Sequence, residues 1–154
     1  MENLVEYGYI GLFLACFLAA TVIPLSSEVV FIGLLIAGAN PIYATIVATI
    51  GNTLGGMTGY LLGYLGKWEW LEKYFRVKEE NLEKCSRIVK RYGSTMAFFA
   101  WLPFIGDFIP IVLGLMRASY HKVLLFMSLG KFTRYALWAY ITISGIKIFS
   151  QHLQ

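Results

Sequence analysis

Ile23-Pro24-Leu25-Ser26-Ser27-Glu28 decides how this chain is read, because it sets a proline, two hydroxyls and a carboxylate between two apolar runs. The run before it, Gly8 to Ile23, has 16 residues, about 24 Å as a helix and short of the ~30 Å hydrocarbon core of a bilayer. The run after it, Val29 to Ala39, has 11 residues and stops at Asn40-Pro41. Two half-helices around a polar break predict a re-entrant hairpin that enters the membrane and returns to the same side. The plain alternative is one helix kinked at Pro24. Irregular backbone at membrane depth is tolerated only where protein or a water-filled cavity satisfies it, which favours the hairpin.

The rest of the chain supports a membrane setting. Of its 154 residues 58% are hydrophobic and 14% charged, with a mean hydropathy of +0.64, whereas soluble domains carry roughly a quarter charged residues. One short chain with no long polar block is expected to form a single membrane domain and excludes a large extramembrane enzyme module. Of the 22 charged residues, 13 lie between Lys67 and Arg91. Cys16 and Cys85 sit in unlike surroundings and suggest neither a disulfide nor a redox motif. Glu2 and Glu6 without a basic residue argue against a cleaved signal peptide. With a net charge of only +4, and basic residues beside apolar runs, anionic lipid is the expected partner and nucleic acid is not.

Outward from the first break, Ile42 to Gly66 has 25 residues without a formal charge and is expected to cross the membrane. Gly51, Gly55, Gly59 and Gly63 recur every fourth residue there, one helical face open to close packing. Residues 67–93 form an amphipathic connector, with Trp68, Trp70, Tyr74 and Phe75 interleaved among the charges, placed in the interface or as a solvated helical hairpin. Ser94 to Met116 is apolar but is broken by Pro103, Gly106, Asp107 and Pro110, a second re-entrant hairpin. Arg117 to Lys122 reads as a turn, and Val123 to Phe149 as a last crossing that carries Lys131 and Arg134.

The two breaks share a register. Pro24 and Pro103, Glu28 and Asp107, and Gly51 and Gly130 are each separated by 79 residues. At the same offset Asn52 stands opposite Lys131, and Gly55 opposite Arg134. Two halves, 8–66 and 94–149, each of a hairpin and a crossing helix, would then lie in opposite orientations as an inverted repeat, an architecture that builds substrate sites near the membrane midplane. Ten Lys or Arg fall on the side of the connector and only Lys147 on the other, so the connector is expected in the cytoplasm and both termini outside.

Four ionisable residues, Glu28, Asp107, Lys131 and Arg134, are expected at membrane depth. Each costs about 2.5 to 3.5 kcal/mol there, so they should face inward and pair or hydrate. With Asn52 they are the candidate substrate- or proton-binding residues, and Pro24, Pro103, Gly106 and Pro110 are the hairpin breaks. Two cations three apart on one helix face could meet the acids or grip a phosphate. A fixed set of ion pairs holding the hairpins to the last helix is the structural alternative. No hydrolase elbow, nucleotide loop or His/Cys cluster occurs, so neither an enzyme nor any metal or cofactor is expected.

On Ile23-Pro24-Leu25-Ser26-Ser27-Glu28-Val29-Val30, Gly51-Asn52-Thr53-Leu54-Gly55-Gly56, Lys90-Arg91-Tyr92-Gly93, Trp101-Leu102-Pro103-Phe104-Ile105-Gly106-Asp107, Gly114-Leu115-Met116-Arg117, Leu129-Gly130-Lys131 and Arg134-Tyr135, the chain resembles the DedA (SNARE-associated, VTT-domain) membrane proteins and, within them, a short YqaA-like branch. The resemblance implies paired re-entrant hairpins and lipid transport, as a flippase or scramblase moving undecaprenyl phosphate or a phospholipid, with protons as coupling ion. It also implies a functional role for Glu28. Longer members flank the second proline with arginines where this chain has Ala100 and Gly106, so its cations come from Lys131 and Arg134. The rival expectations are a proton-driven carrier for small cations or drugs, in which Glu28 matters more than Lys131, and a non-transporting membrane scaffold. A homo-oligomer is compatible with each.

Overall fold

A computed structural model describes residues 2–21, 27–66, 79–102, 106 and 108–152. The breaks Pro24 and Pro103, the acid Asp107 and residues 67–78 of the connector lie outside them. Among the described residues all regular structure is helical: α1 (Glu2–Ala19), α2 (Ser27–Ile36), α3 (Pro41–Tyr64), α4 (Glu79–Tyr92), a 3-10 helix (Gly93–Trp101), α5 (Phe108–Leu115) and α6 (Tyr120–His152).

Local chemistry sets the ends. The Asn40 side chain accepts from the Ile42 amide at 2.9 Å, and Pro41 opens α3, where its missing N–H costs nothing. Gly93, at φ 62°, ends α4 in the left-handed conformation that glycine adopts freely. The segment after it winds as a 3-10 helix of nine residues and ends at an extended Leu102, the backbone favoured before a proline. A 3-10 run of that length is unusual, and nothing in the apolar pattern of Ser94 to Trp101 distinguishes it from an α-helix.

The 79-residue register reappears in the backbone. After α2, Ala37, Gly38 and Ala39 donate to the carbonyls of Gly33, Leu35 and Leu34; after α5, Met116, Arg117 and Ala118 donate to those of Val112, Gly114 and Leu113. Each bond of the second turn is the first shifted by 79 positions. The left-handed residue is Gly38 (φ 94°) in one turn and Arg117 (φ 51°) in the other, and α3 and α6 begin at Pro41 and Tyr120, again 79 apart. Packing follows the same rule. α1 lies on α3 and the 3-10 helix on α6, each within its own half, while α2 crosses to α6 and α5 to α3.

Glycines permit these approaches. A β-carbon at Gly51 would sit 2.6 Å from the Phe13 carbonyl oxygen of α1, one at Gly55 2.5 Å from that of Phe17, and one at Gly63 2.2 Å from that of Ile111 in α5. The counterpart of Gly51, Gly130, lies against the Phe98 carbonyl at 2.0 Å on the same measure. The glycine stripe of α3 therefore serves packing within the chain.

Two apolar clusters result. One gathers Leu12, Cys16, Phe31, Leu35, Ala44, Ala48, Tyr135 and Ala139; the other gathers Met57, Tyr60, Val89, Ala97, Ile109, Val112, Val123 and Met127. Asn52 and Lys131 fall between them along α3 and α6. α4 turns Val89 inward and leaves Lys84, Arg87, Lys90 and Arg91 exposed.

One expectation is corrected. Among the described residues no helix is long and apolar enough to cross a membrane, although 42–66 and 123–149 were each expected to do so. Length is not the reason, since α3 has 24 residues and α6 has 33. Glycines, threonines and Asn52 dilute α3, and Lys131 and Arg134 dilute α6. These small and polar residues face inward: Gly51, Asn52, Thr53, Gly55, Gly56 and Lys131 are buried, while Ile42, Ile46, Ile50, Leu54 and Leu61 of α3 and Leu125, Leu129, Phe132 and Leu137 of α6 are exposed. Such a pattern, apolar outside and small or polar inside, suits a lipid surround.

Candidate functional site

The site forms where α3 and α6 meet, with α2 closing one side. Lys131 is 2% exposed. Its Nζ donates to the Asn52 backbone oxygen at 2.7 Å and to the Asn52 Oδ1. Asn52 and Lys131 are counterparts in the 79-residue register, so this contact joins a position to its own equivalent and sits where the two halves meet. Gly56 makes room for it: a β-carbon there would lie 3.2 Å from the Lys131 Nζ and 2.8 Å from the Met127 Sδ.

One turn along α6, Arg134 forms an ion pair with Glu28, and its Nη1 donates to the Trp101 carbonyl at 3.2 Å. The guanidinium thus ties α6 to α2 and to the end of the 3-10 helix. Glu28 lies in the first turn of α2, where the helix dipole favours a carboxylate. The Arg134 side chain keeps 26% and that of Glu28 16% of its exposure, so this pair is reachable while Lys131 is sealed. Two inward cations on one face thus stand in different settings, Arg134 with a carboxylate at a partly open position and Lys131 sealed, with the oxygens of buried Asn52 among its partners.

Of the residues singled out from the sequence, Glu28 and Arg134 come together, as do Asn52 and Lys131. Gly106 is buried, its missing β-carbon position 2.4 Å from the carbonyl oxygens of both Ala100 and Leu102, so only glycine fits that approach. Pro110 is buried in the first turn of α5, where no helical N–H is missed. Pro24, Pro103 and Asp107 lie outside the described residues.

The structure adds members that hydropathy did not single out. Tyr135 is fully buried; its hydroxyl accepts from the Asn52 Nδ2 at 3.0 Å and lies 2.9 Å from the Ser27 Oγ and 3.4 Å from the Cys16 Sγ. Its ring packs on Phe31 with centroids 5.2 Å apart. Ser27 precedes Glu28 and Tyr135 follows Arg134, so sequence adjacency to the charged pair was the available signal. The register offered another, since Tyr135 stands opposite Gly56. Among the described residues Thr53 Oγ1 and Trp101 Nε1 are buried with no hydrogen-bond partner.

The VTT domain model matches residues 23–144. The chain is 36% identical over 136 residues to the inner membrane protein YqaA of Escherichia coli, covering 88% of this chain and 92% of that one. It is also 30% identical over 134 residues to an uncharacterized protein of Haemophilus influenzae, covering 85% of each. No solved structure matches it.

Proposed function

The chain belongs to the VTT-domain family of DedA membrane proteins, and on that premise we propose that it moves an anionic lipid headgroup across the inner membrane while the acyl chains stay in the bilayer. The observation that carries this reading is the pair of inward cations, Lys131 and Arg134, on a helix whose other face is apolar and exposed. Two cations three residues apart match a phosphate that offers several acceptor oxygens. The inner membrane follows the relative in Escherichia coli.

In this mechanism the headgroup phosphate displaces Glu28 from Arg134 at the reachable pair, then draws the Lys131 ammonium from the Asn52 oxygens. With no headgroup bound, Glu28 returns to Arg134. That return matters energetically, because a cation without a counter-charge at membrane depth costs about 2.5 to 3.5 kcal/mol even on the lenient scale. Asp107 takes the matching role in the second hairpin by its place in the register, and either acid is the natural carrier of a coupled proton. The halves are assigned opposite orientations, with the hairpins re-entrant, residues 67–93 cytoplasmic and the termini outside. The reaction breaks no covalent bond, so the protein acts as a transporter and not as an enzyme.

Flipping of a fluorescent anionic lipid in proteoliposomes tests the reading. The wild type is expected to move lipid faster than empty liposomes, Lys131→Ala to be slowed about tenfold, as loss of a charge-assisted contact of roughly 1.4 kcal/mol or more would do, and Glu28→Gln to be slowed less. Wild-type flux equal to that of empty liposomes overturns the lipid reading, and Glu28→Gln losing more than Lys131→Ala favours a carrier of small cations.

A further inference from the structure

Among the described residues, the Tyr135 hydroxyl links the Lys131 site to Ser27 at the start of α2, next to Glu28. An ammonium donates only, so the Asn52 side chain must turn its oxygen to Lys131, which leaves its NH2 group facing Tyr135. The Tyr135 oxygen accepts from that NH2 at 3.0 Å and has one proton of its own to give. That proton reaches Cys16 Sγ at 3.4 Å, and Ser27 Oγ lies 2.9 Å from the same hydroxyl, a bond in which either oxygen can donate. A chain of bonds results: Lys131 donates to Asn52, Asn52 donates to Tyr135, and the Tyr135 hydroxyl shares a bond with Ser27 at the start of α2, one residue before Glu28. Every member named is buried, so no water competes for these bonds and the amide has one satisfied orientation.

We propose that the Tyr135 hydroxyl is a positioning group that holds the Asn52 carboxamide with its oxygen on the Lys131 ammonium and couples that site to α2, and so to the Glu28–Arg134 pair. Removing the hydroxyl leaves the Asn52 NH2 without its acceptor. The amide then loses its fixed orientation, and its Oδ1 is no longer held on the Lys131 ammonium. Ring packing is not the agent, since phenylalanine at 135 would keep the contact with Phe31. The consequence for transport rests on the headgroup reading above; the geometry at Lys131 does not.

The test is the proton–nitrogen signal of the Lys131 ammonium in lysine-labelled protein in lipid nanodiscs, identified by its loss in Lys131→Ala. A sealed, hydrogen-bonded ammonium gives a signal that exposed lysines lose to exchange. The expected result is a signal in the wild type and in Phe31→Leu, which disturbs the same ring without removing a polar atom, and its loss in Tyr135→Phe and in Asn52→Leu. Absence of the signal from the wild type, or its persistence unchanged in Tyr135→Phe, overturns the proposal. Should Tyr135→Phe not fold, the wild-type Asn52 side-chain amide decides: deuterium exchange slower than at the exposed Asn40 supports the proposal, and equal exchange overturns it. In the flipping assay Tyr135→Phe is expected to lose about tenfold, as for one buried acceptor removed, with little further loss on adding Asn52→Leu. If the wild type moves no lipid, the headgroup reading fails while the ammonium signal still decides the role of Tyr135.

Discussion

The two halves of the molecule share a backbone and differ in what they hang on it. Both turn in the same three-bond pattern after their short helix, start their long helix 79 residues apart, and place a glycine, Gly51 or Gly130, against the backbone of the preceding segment. At the next positions they part: Asn52, Gly55 and Gly56 of α3 stand opposite Lys131, Arg134 and Tyr135 of α6. Gly56 leaves space that the Lys131 side chain from the other half occupies, whereas Gly55 admits the backbone of Phe17 from its own half. On the long helices the shared glycines, Gly51 and Gly130, build the scaffold, while at the differing positions 131, 134 and 135 the second half carries charge and hydrogen bonds.

That division can be broken at the points of agreement, where the largest stability effects are expected. Gly130→Ala drives a β-carbon to 2.0 Å from the Phe98 carbonyl, a backbone atom that cannot swing aside, whereas Gly51→Ala meets Phe13 at 2.6 Å. Overpacking of this kind costs about 1–3 kcal/mol and occasionally more, so thermal unfolding in detergent should rank Gly130→Ala well below Gly51→Ala and both below wild type. Equal and small shifts would show that the helices are not held at these distances.

Arg134→Ala comes next. It strips Glu28 of its counter-ion, and removing one member of a buried pair costs 3–5 kcal/mol; the residual exposure of both side chains brings the expectation down to about 2 kcal/mol. The double variant Glu28→Gln with Arg134→Ala should recover part of that loss, and a double-mutant cycle in chemical denaturation checks it. Strict additivity would mean that the pair does not hold α2 to α6.

The smallest effect is expected at the turn where the halves differ by one residue. Arg117 adopts φ 51° where Gly38 stands in the first half, a conformation that costs a non-glycine residue about 1–2 kcal/mol. Its guanidinium lies 5.4 Å from the Tyr64 ring centre, which offsets about 0.5–1 kcal/mol. Arg117→Gly should therefore change stability by less than about 1 kcal/mol, in the stabilising direction. A clear loss would assign the turn to the side chain and not to the backbone.

Much of this was legible in the residues. The offset of 79 could be read from Glu28 and Asp107 and from Gly51 and Gly130, because punctuating residues keep their register where apolar ones interchange. The long helices at 42–66 and 123–149 were legible for the same reason, their ends being marked by Asn40-Pro41 and by the polar turn at 117–122. Three features were not. The 3-10 winding of 93–101 was not legible because its apolar residues suit an α-helix equally well. The crossings expected at 42–66 and 123–149 fall short in mean apolarity among the described residues, because the average joins inward small and polar residues to outward apolar ones. The place of Tyr135 depends on which residues face one another across three helices, so a tyrosine in an apolar helix reads as core until Asn52 and Ser27 are found beside its hydroxyl.

The central claim is that Lys131, at the contact between counterparts, handles an anionic headgroup and does not merely brace the helices. The most direct measurement is the initial rate of anionic-lipid flipping per folded molecule in Lys131→Ala, with Gly51→Ala as a scaffold control. The account predicts a drop of about tenfold in Lys131→Ala and a wild-type rate in the Gly51→Ala molecules that fold. A wild-type rate per folded Lys131→Ala molecule would contradict it.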